Sequence, residues 1–279
     1  MALQLPPGAR LAVNIGVDFD AHSAWIGAIG VTSPGFLSRG EFDAMVGVPR
    51  VLHAMAEHGV VGNFFTPTHT MATFPDSFQL VLESGHEVSA HGCWHEPILK
   101  LEPDEERRLL DLQIAQHEKY VGKRPRGYRS PAWDFTDHTL TFLEDAGFEW
   151  DSSLMGRDFE PYRPRPITID REHGDRFGPA SSILEFPVSW HLDDFPATEH
   201  IPGMNSGMES PETIYERWKA HIDFAHDRVP QGVVCLTVHP QAIGRAPYIV
   251  MFEQFLRYVS GLDGVWFTNL SALASHWTD

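Results

Sequence analysis

The chain has 279 residues, with 38 Asp+Glu against 21 Lys+Arg and a formal net charge of −17. At 42% hydrophobic and 21% charged residues it can bury a large core, which excludes a disordered polymer, and its length suits one closed α/β barrel of about 250 residues. The acidic balance argues against nucleic acid, an anionic membrane or any other polyanion as the main partner, because no net positive field exists to attract one.

In chain order, short β-rich runs alternate with helix-period runs. Strands are expected over 11–19, 60–66, 86–91, 127–131, 148–153, 183–189, 233–239 and 265–269. Several are apolar on both faces, which favours parallel strands covered on each side. Pro103-Asp104-Glu105-Glu106 opens a helix that closes before Gly122, and Ser210-Pro211-Glu212 opens another. Tyr248, Ile249, Phe252, Phe255, Leu256 and Val259 recur at spacings of three and four and form one apolar stripe. Gly59, Gly85 and Gly147 each fall between a helical run and the next strand, where a left-handed cap is expected. The βα unit therefore repeats roughly seven times within one domain spanning residues 1–279. Two stretches rich in Gly, Pro and Arg, 21–40 and 155–182, are expected to be irregular, the second as a solvated mixed-charge loop.

Only two cysteines occur, Cys93 and Cys235, too few for a disulfide framework or a four-thiolate zinc site, so a reducing compartment is expected. The first residues carry no basic stretch ahead of an apolar run, and no stretch of about 18 apolar residues follows. A cytoplasmic location is the expectation.

In a parallel α/β barrel the reactive groups lie at the carboxyl ends of the strands. Those ends carry Asp18-Phe19-Asp20, His91-Gly92-Cys93-Trp94-His95, Arg129-Ser130-Pro131-Ala132-Trp133, Trp190-His191-Leu192-Asp193-Asp194 and Thr237-Val238-His239. Asp18 and Asp20 share one strand face, where their repulsion would be offset by a divalent cation at one and an arginine at the other. His91 and His95 are spaced to reach one metal from a single turn, opposite Asp20. Two imidazoles and one carboxylate suit zinc, cobalt or a similar divalent ion. Cys93, between them, reads as a buried thiol. Arg129 suits pairing with a nearby carboxylate, and Trp94, Trp133 and Trp190 are the aromatic residues expected to meet substrate. His239 ends an apolar strand and suits a general acid tuned by a carboxylate, with Asp193 the first candidate and Asp194 the second. G-x-S-x-G, Walker-type and G-x-G-x-x-G signatures are missing.

Taken in order, these segments resemble the polysaccharide deacetylase family, the NodB-homology or carbohydrate esterase family 4 domain. The resemblance implies a distorted (β/α)7 barrel, a metal on Asp20, His91 and His95, Asp18 as general base held by Arg129, and His239 as general acid. Phe19 between the aspartates and the H-G-C-W-H spelling are similar to the branch that holds cytoplasmic peptidoglycan-deacetylase-like proteins, allantoinases and cyclic-imide hydrolases. That branch implies a homo-oligomer, with a tetramer among the options.

The expected activity is metal-dependent hydrolysis of a non-peptide carbon–nitrogen bond. A small cyclic imide, ureide or N-acyl compound is favoured as substrate, with N-deacetylation of polysaccharide or peptidoglycan fragments close behind. Two rivals from other classes are an iron(II) oxygenase, whose usual antiparallel barrel conflicts with the βα alternation, and a non-catalytic metal-containing binding barrel.

Overall fold

The computed structural model describes residues 2–278. One parallel sheet is built from β1 (Leu11–Asp18), β2 (Asn63–Thr66), β3 (Glu87–Ala90), β4 (Gly127–Tyr128), β5 (Trp150–Asp151), β6 (Leu184–Glu185), β7 (Gly232–Val238) and β8 (Val265–Phe267). Its order is β7-β1-β2-β3-β4-β5-β6. β8 pairs with Leu11 to Val13 at the start of β1, while β2 pairs with Gly16 to Asp18 at its end. Beyond β6 the chain meets β7 at an isolated bridge, Asp193 to Thr237, which closes the curl. The architecture is the distorted (β/α)7-type barrel that the alternation predicts.

Strand alternation decides what faces inward. Leu11, Val13, Ile15 and Val17 of β1 join an outer core that also contains Val51 and Met55 of α2 (Val48–Glu57), Trp218 and Ile222 of α5 (Pro211–Arg228), and Phe252 and Phe255 of α6 (Ala246–Ser260). Ala12 instead joins Phe65, Trp150, Phe186, Val233 and Cys235 in an inner core. By the same alternation Asn14, Gly16 and Asp18 face the lumen. Leu3, Leu5, Leu270 and Leu273 pack into that inner core, where Ala2–Leu3 pairs antiparallel with Trp277–Thr278. The sequence reading did not anticipate this pairing of the two ends.

The expected caps are present. The helix α4 (Pro103–Val121) has three acids in its first turn and ends on Gly122 at φ 80°. At the start of α5 the Ser210 side chain accepts the N–H of Thr213. Gly59, Gly85 and Gly147 are left-handed at φ 63°, 81° and 77°. Among the described residues, no helix is long and apolar enough to cross a membrane.

Two expectations need correction. β4, β5 and β6 are only two residues each, shorter than the runs that suggested them, because side-chain oxygens replace the ladder at their ends. Thus Ser130 N–H donates to Ser153 Oγ at 2.8 Å and Ser153 N–H to Glu185 Oε1 at 3.0 Å. Residues 21–40 are largely helical, with a wide-turn helix over Ala24–Ile29 and α1 over Pro34–Phe42. Their glycines serve close packing: a Cβ on Gly27 would lie 2.0 Å from the His95 carbonyl oxygen, and one on Gly40 2.5 Å from the Ala21 carbonyl carbon. The 155–182 stretch is nearer its description, carrying an exposed hairpin of Ile167–Thr168 with Arg176–Phe177 and an Arg176–Asp170 pair at 3.3 Å.

Gly127 faces Trp150 across β4 and β5, and a Cβ there would sit 2.0 Å from the indole ring. Trp150 is fully buried and tied by its Nε1–H to Ser271 Oγ at 2.9 Å, so it has little room to move. Gly127→Ala is expected to destabilise the fold by about 1–3 kcal/mol. Urea titration checks this; an unchanged midpoint and slope would refute the overpacking.

Candidate active site

Each reactive side chain follows the carboxyl end of a strand. Asp18 ends β1, and the chain then turns through Asp20 into Ala21, left-handed at φ 49°. The buried Asp43 carboxylate accepts the Ala21 N–H at 2.8 Å and fixes that turn. His91 follows β3, with Gly92 at φ 73° and His95 at φ 59° shaping the loop. The buried Glu96 carboxylate accepts the N–H of Cys93 at 2.9–3.0 Å and of Trp94 at 2.8 Å, so it clamps the loop between the two histidines. Cys93 is buried, with its thiol directed to the Leu109 carbonyl at 3.2 Å.

The predicted metal ligands come together. Asp20 Oδ1 lies 3.4 Å from His91 Nε2, and Asp20 Oδ2 lies 3.8 Å from His95 Nε2. The Nδ1–H of His91 donates to the Arg129 carbonyl at 2.8 Å, which turns Nε2 toward Asp20. His91 Nε2 and Asp20 Oδ1 are buried and lack a hydrogen-bond partner. Two ligand atoms about 2.0–2.2 Å from a shared tetrahedral ion stand about 3.3–3.6 Å apart, so the orphaned pair has the spacing such an ion needs. Burial alone would raise the Asp20 carboxyl, but His95, His91 and His239 outweigh it and hold it below the usual range. Burial pushes His95 below the ordinary histidine value.

Beside this triad, Arg129 Nη1–H donates to Asp18 Oδ1 at 2.6 Å. Both groups are buried, and Gly16 makes room for the guanidinium, since a Cβ there would be 2.8 Å from Nη1. Asp18 Oδ2 stays open to the site, 3.7 Å from His91 Nε2 and 3.9 Å from His239 Nε2.

The order of the two candidate partners of His239 is reversed. Asp194 Oδ1 accepts the Nδ1–H of His239 at 2.8 Å, and the same carboxylate accepts its backbone N–H at 3.0–3.1 Å. Asp193 lies 3.6 Å from Nδ1 and instead accepts the Phe195 N–H at 2.7 Å while lining the cavity. The reason is the closing bridge: Asp193 pairs with Thr237, and the next residue falls beside His239. Burial disfavours the charged imidazole, yet Asp193, Asp194 and Asp18 overcome this and push His239 well above the ordinary value. Burial also lifts Asp193, to about 7.

A cavity of about 180 Å³ opens over these groups. Asp18, Asp20, His91, His95, Asp193 and His239 line it together with Ala24, Ala28, Ile29, Ala132, Trp133, Trp190 and Phe195. Trp133 and Trp190 pack with ring centroids 4.3 Å apart. Trp94 is half-buried and does not line the cavity, a correction to its expected role. Its N–H is clamped by Glu96, and its carbonyl meets the Gly27 turn. Sequence reasoning also missed Glu96, Asp43 and the apolar wall from Ala24 to Ile29. A carboxylate directly after a candidate metal histidine was the available signal for Glu96.

At one mouth of the barrel the fold thus sets a two-histidine, one-carboxylate cluster beside an Arg129-paired Asp18 and an Asp194-paired His239. The polysaccharide deacetylase family model matches residues 41–150. A peptidoglycan deacetylase of Helicobacter pylori is 31% identical, with 95% of each chain covered. The peptidoglycan deacetylase-like protein FGM2 of Gibberella zeae is also 31% identical, over 90% of this chain and 81% of that one. A crystal structure of a Mycobacterium smegmatis protein assigned as a polysaccharide deacetylase superposes with TM-score 0.84 at 31% identity, covering 99% of this chain and 92% of that one. Puue allantoinase shares the fold at TM-score 0.80 and 20% identity, with 98% and 92% covered. The chain belongs to the polysaccharide deacetylase family, and is a hydrolase of carbon–nitrogen bonds other than peptide bonds.

Members of this family generally use a divalent metal, and the candidate ligands are Asp20, His91 and His95. Glu96→Gln keeps the shape of the clamp but turns one of its two acceptor oxygens into an amide donor and removes its charge. It is expected to weaken binding of added zinc about 10-fold or more, as loss of a group supporting metal ligands commonly does. Competition with a chromophoric chelator measures this, and wild-type affinity in a folded variant would refute the clamp.

Proposed function

We propose that the whole chain acts as one divalent-metal-dependent amidohydrolase on a small, compact non-peptide amide, such as a cyclic imide, ureide or N-acyl compound. The observation that carries this reading is the chemistry of the cavity wall. Above the ionic floor, the lining residues are Ala24, Ala28, Ile29, Ala132, Trp133, Trp190 and Phe195. Among these described residues only the indole N–H groups are polar. Sugar hydroxyls inserted there would lose water without gaining enough partners, at about 1–3 kcal/mol for each unpaired group. A flat amide lying against Trp133 and Trp190 meets no such penalty.

N-deacetylation of peptidoglycan or polysaccharide fragments is the second reading. It is supported by the 31% identity to the Helicobacter pylori peptidoglycan deacetylase, and by the rim aromatic Trp190, 46% exposed, as a stacking surface for a sugar ring.

A zinc or cobalt ion on Asp20, His91 and His95 would supply Lewis-acid polarisation of the carbonyl and acidify the attacking water. Asp18, held by Arg129, accepts the proton of the water through its free Oδ2. As the carbon–nitrogen bond breaks, His239 donates its Nε2 proton to the leaving nitrogen, and Asp194 at Nδ1 holds the imidazole in line. The apolar wall excludes competing water from the reacting carbon.

A substrate panel tests this. Turnover of succinimide, hydantoin or allantoin supports the first reading, acetate release from N-acetylglucosamine oligomers supports the second, and activity on neither with metal loaded refutes both. On the working substrate, Asp18→Asn and His239→Ala are each expected to lower kcat by about 10²–10⁴-fold. Chelation should abolish turnover, and added zinc or cobalt should restore it.

A further inference from the structure

Arg129 is fully buried, and its orientation aims Asp18. What fixes that orientation lies outside the cavity, at the ends of β5 and β6. The Ser152 carbonyl accepts Arg129 Nε–H at 3.0 Å, and the Ser152 hydroxyl accepts Nη2–H at 3.1 Å. Ser153 Oγ accepts the Ser130 N–H at 2.8 Å and donates to Asp151 Oδ1 at 2.8 Å. Glu185 Oε1 accepts the N–H groups of Ser153 and Leu154 at 3.0 and 2.9 Å. Asp151 and Glu185 are register partners across β5 and β6, and both are fully buried. Their second oxygens, Asp151 Oδ2 and Glu185 Oε2, have no donor. Two bare carboxylates so placed, with no exposure to solvent, would repel.

We propose that Asp151 and Glu185 share one proton and, with Ser152 and Ser153, form the seat that positions Arg129 and through it the base Asp18. One proton between Glu185 Oε2 and Asp151 Oδ2 satisfies both orphaned oxygens. Burial, with the Asp151 charge beside it, pushes the Glu185 carboxyl well above the usual range. Burial lifts Asp151 as well, to about 6, while Ser153 and Arg129 favour its charged form. The nearby phenols of Tyr128 and Tyr162 are pushed up, first by burial and further by the carboxylates, Asp151 at Tyr128 and both acids at Tyr162. One negative charge on the pair therefore faces the single positive charge of Arg129. None of the four residues lines the cavity, so these are positioning residues.

The inference rests on Asp18 as the base, and its test has one readout that needs no turnover. The infrared difference spectrum of metal-loaded wild type minus Glu185→Gln, in D2O at neutral pH, should carry a neutral carboxylic-acid band, the subtraction removing other buried carboxyls such as Asp43 and Asp193. On the substrate found by the panel, Glu185→Gln should keep kcat within about threefold, because an amide also donates to Asp151. Ser152→Ala and Glu185→Leu should each lower kcat by about tenfold or more, the loss expected for a bond to a charged group, with KM and bound metal unchanged. Ser152→Ala removes one hydroxyl only, so a misfolded Glu185→Leu leaves the test intact. The seat is overturned if the difference spectrum carries no such band. It is also overturned if Glu185→Gln is as impaired as Glu185→Leu, or if Ser152→Ala keeps the wild-type kcat. The band in a protein inactive on every amide would uphold the shared proton and defeat the amidohydrolase reading instead.

Discussion

The bond between Arg129 and Asp18 is the contact on which the rest of the site depends. A guanidinium with no solvent access survives only where acceptors surround it, and here Asp18 and the Ser152 carbonyl and hydroxyl do so. Phe65 adds its ring face, 3.8 Å from the guanidinium carbon. The same residue also orders the candidate ligand cluster, because its carbonyl receives the His91 Nδ1–H. One residue past the end of β4 therefore holds His91 by its backbone and Asp18 by its side chain. The lumen must admit this large group, which explains Gly16 on β1 directly beneath it.

The barrel is closed where its chemistry sits. From β7 round to β6 the strands form a continuous path, but the return from β6 to β7 is reduced to Asp193 against Thr237. A complete ladder there would keep both aspartates in extended backbone with side chains on opposite faces. The isolated bridge lets the chain turn at once, so Asp193 reaches the cavity while Asp194 accepts both N–H groups of His239. The irregular closure is thus part of what brings His239 to within 3.9 Å of Asp18 in one cavity.

Much of this was legible in the sequence, for reasons that also set the limit. Parallel strands covered on both faces write uninterrupted apolar runs, so β1 and β7 stood out, and the polar residues at their ends marked the site. Asp20, His91 and His95 could be grouped because barrel topology restricts where strand ends meet. The choice between Asp193 and Asp194 could not be read, since it turns on a local departure from strand geometry. Glycine was misread in residues 21–40 for a related reason. Gly27 and Gly40 look like breakers, yet they sit within helices because neighbouring backbone leaves no space for a Cβ. Trp94 failed as a cavity residue because side-chain direction in the His91–His95 loop is set by Glu96 and the left-handed His95, neither visible as periodicity.

Floor and wall of the cavity carry different kinds of information. The floor, from Asp18 to His239, is assembled from strand ends, and its chemistry is hydrolytic whatever amide enters. The wall comes from the Ala24–Ile29 helix, Ala132 and Trp133 after β4, and Trp190 and Phe195 after β6. Such connecting segments can change without disturbing the sheet, so likeness to a peptidoglycan deacetylase across the whole chain speaks for the floor more strongly than for the wall. Selectivity then depends on how many polar groups a substrate brings past the wall. A compact imide or acyl amide presents the reacting carbonyl to the floor and hides little else, whereas a sugar must keep its hydroxyls at the open rim by Trp190 and insert only its acyl arm.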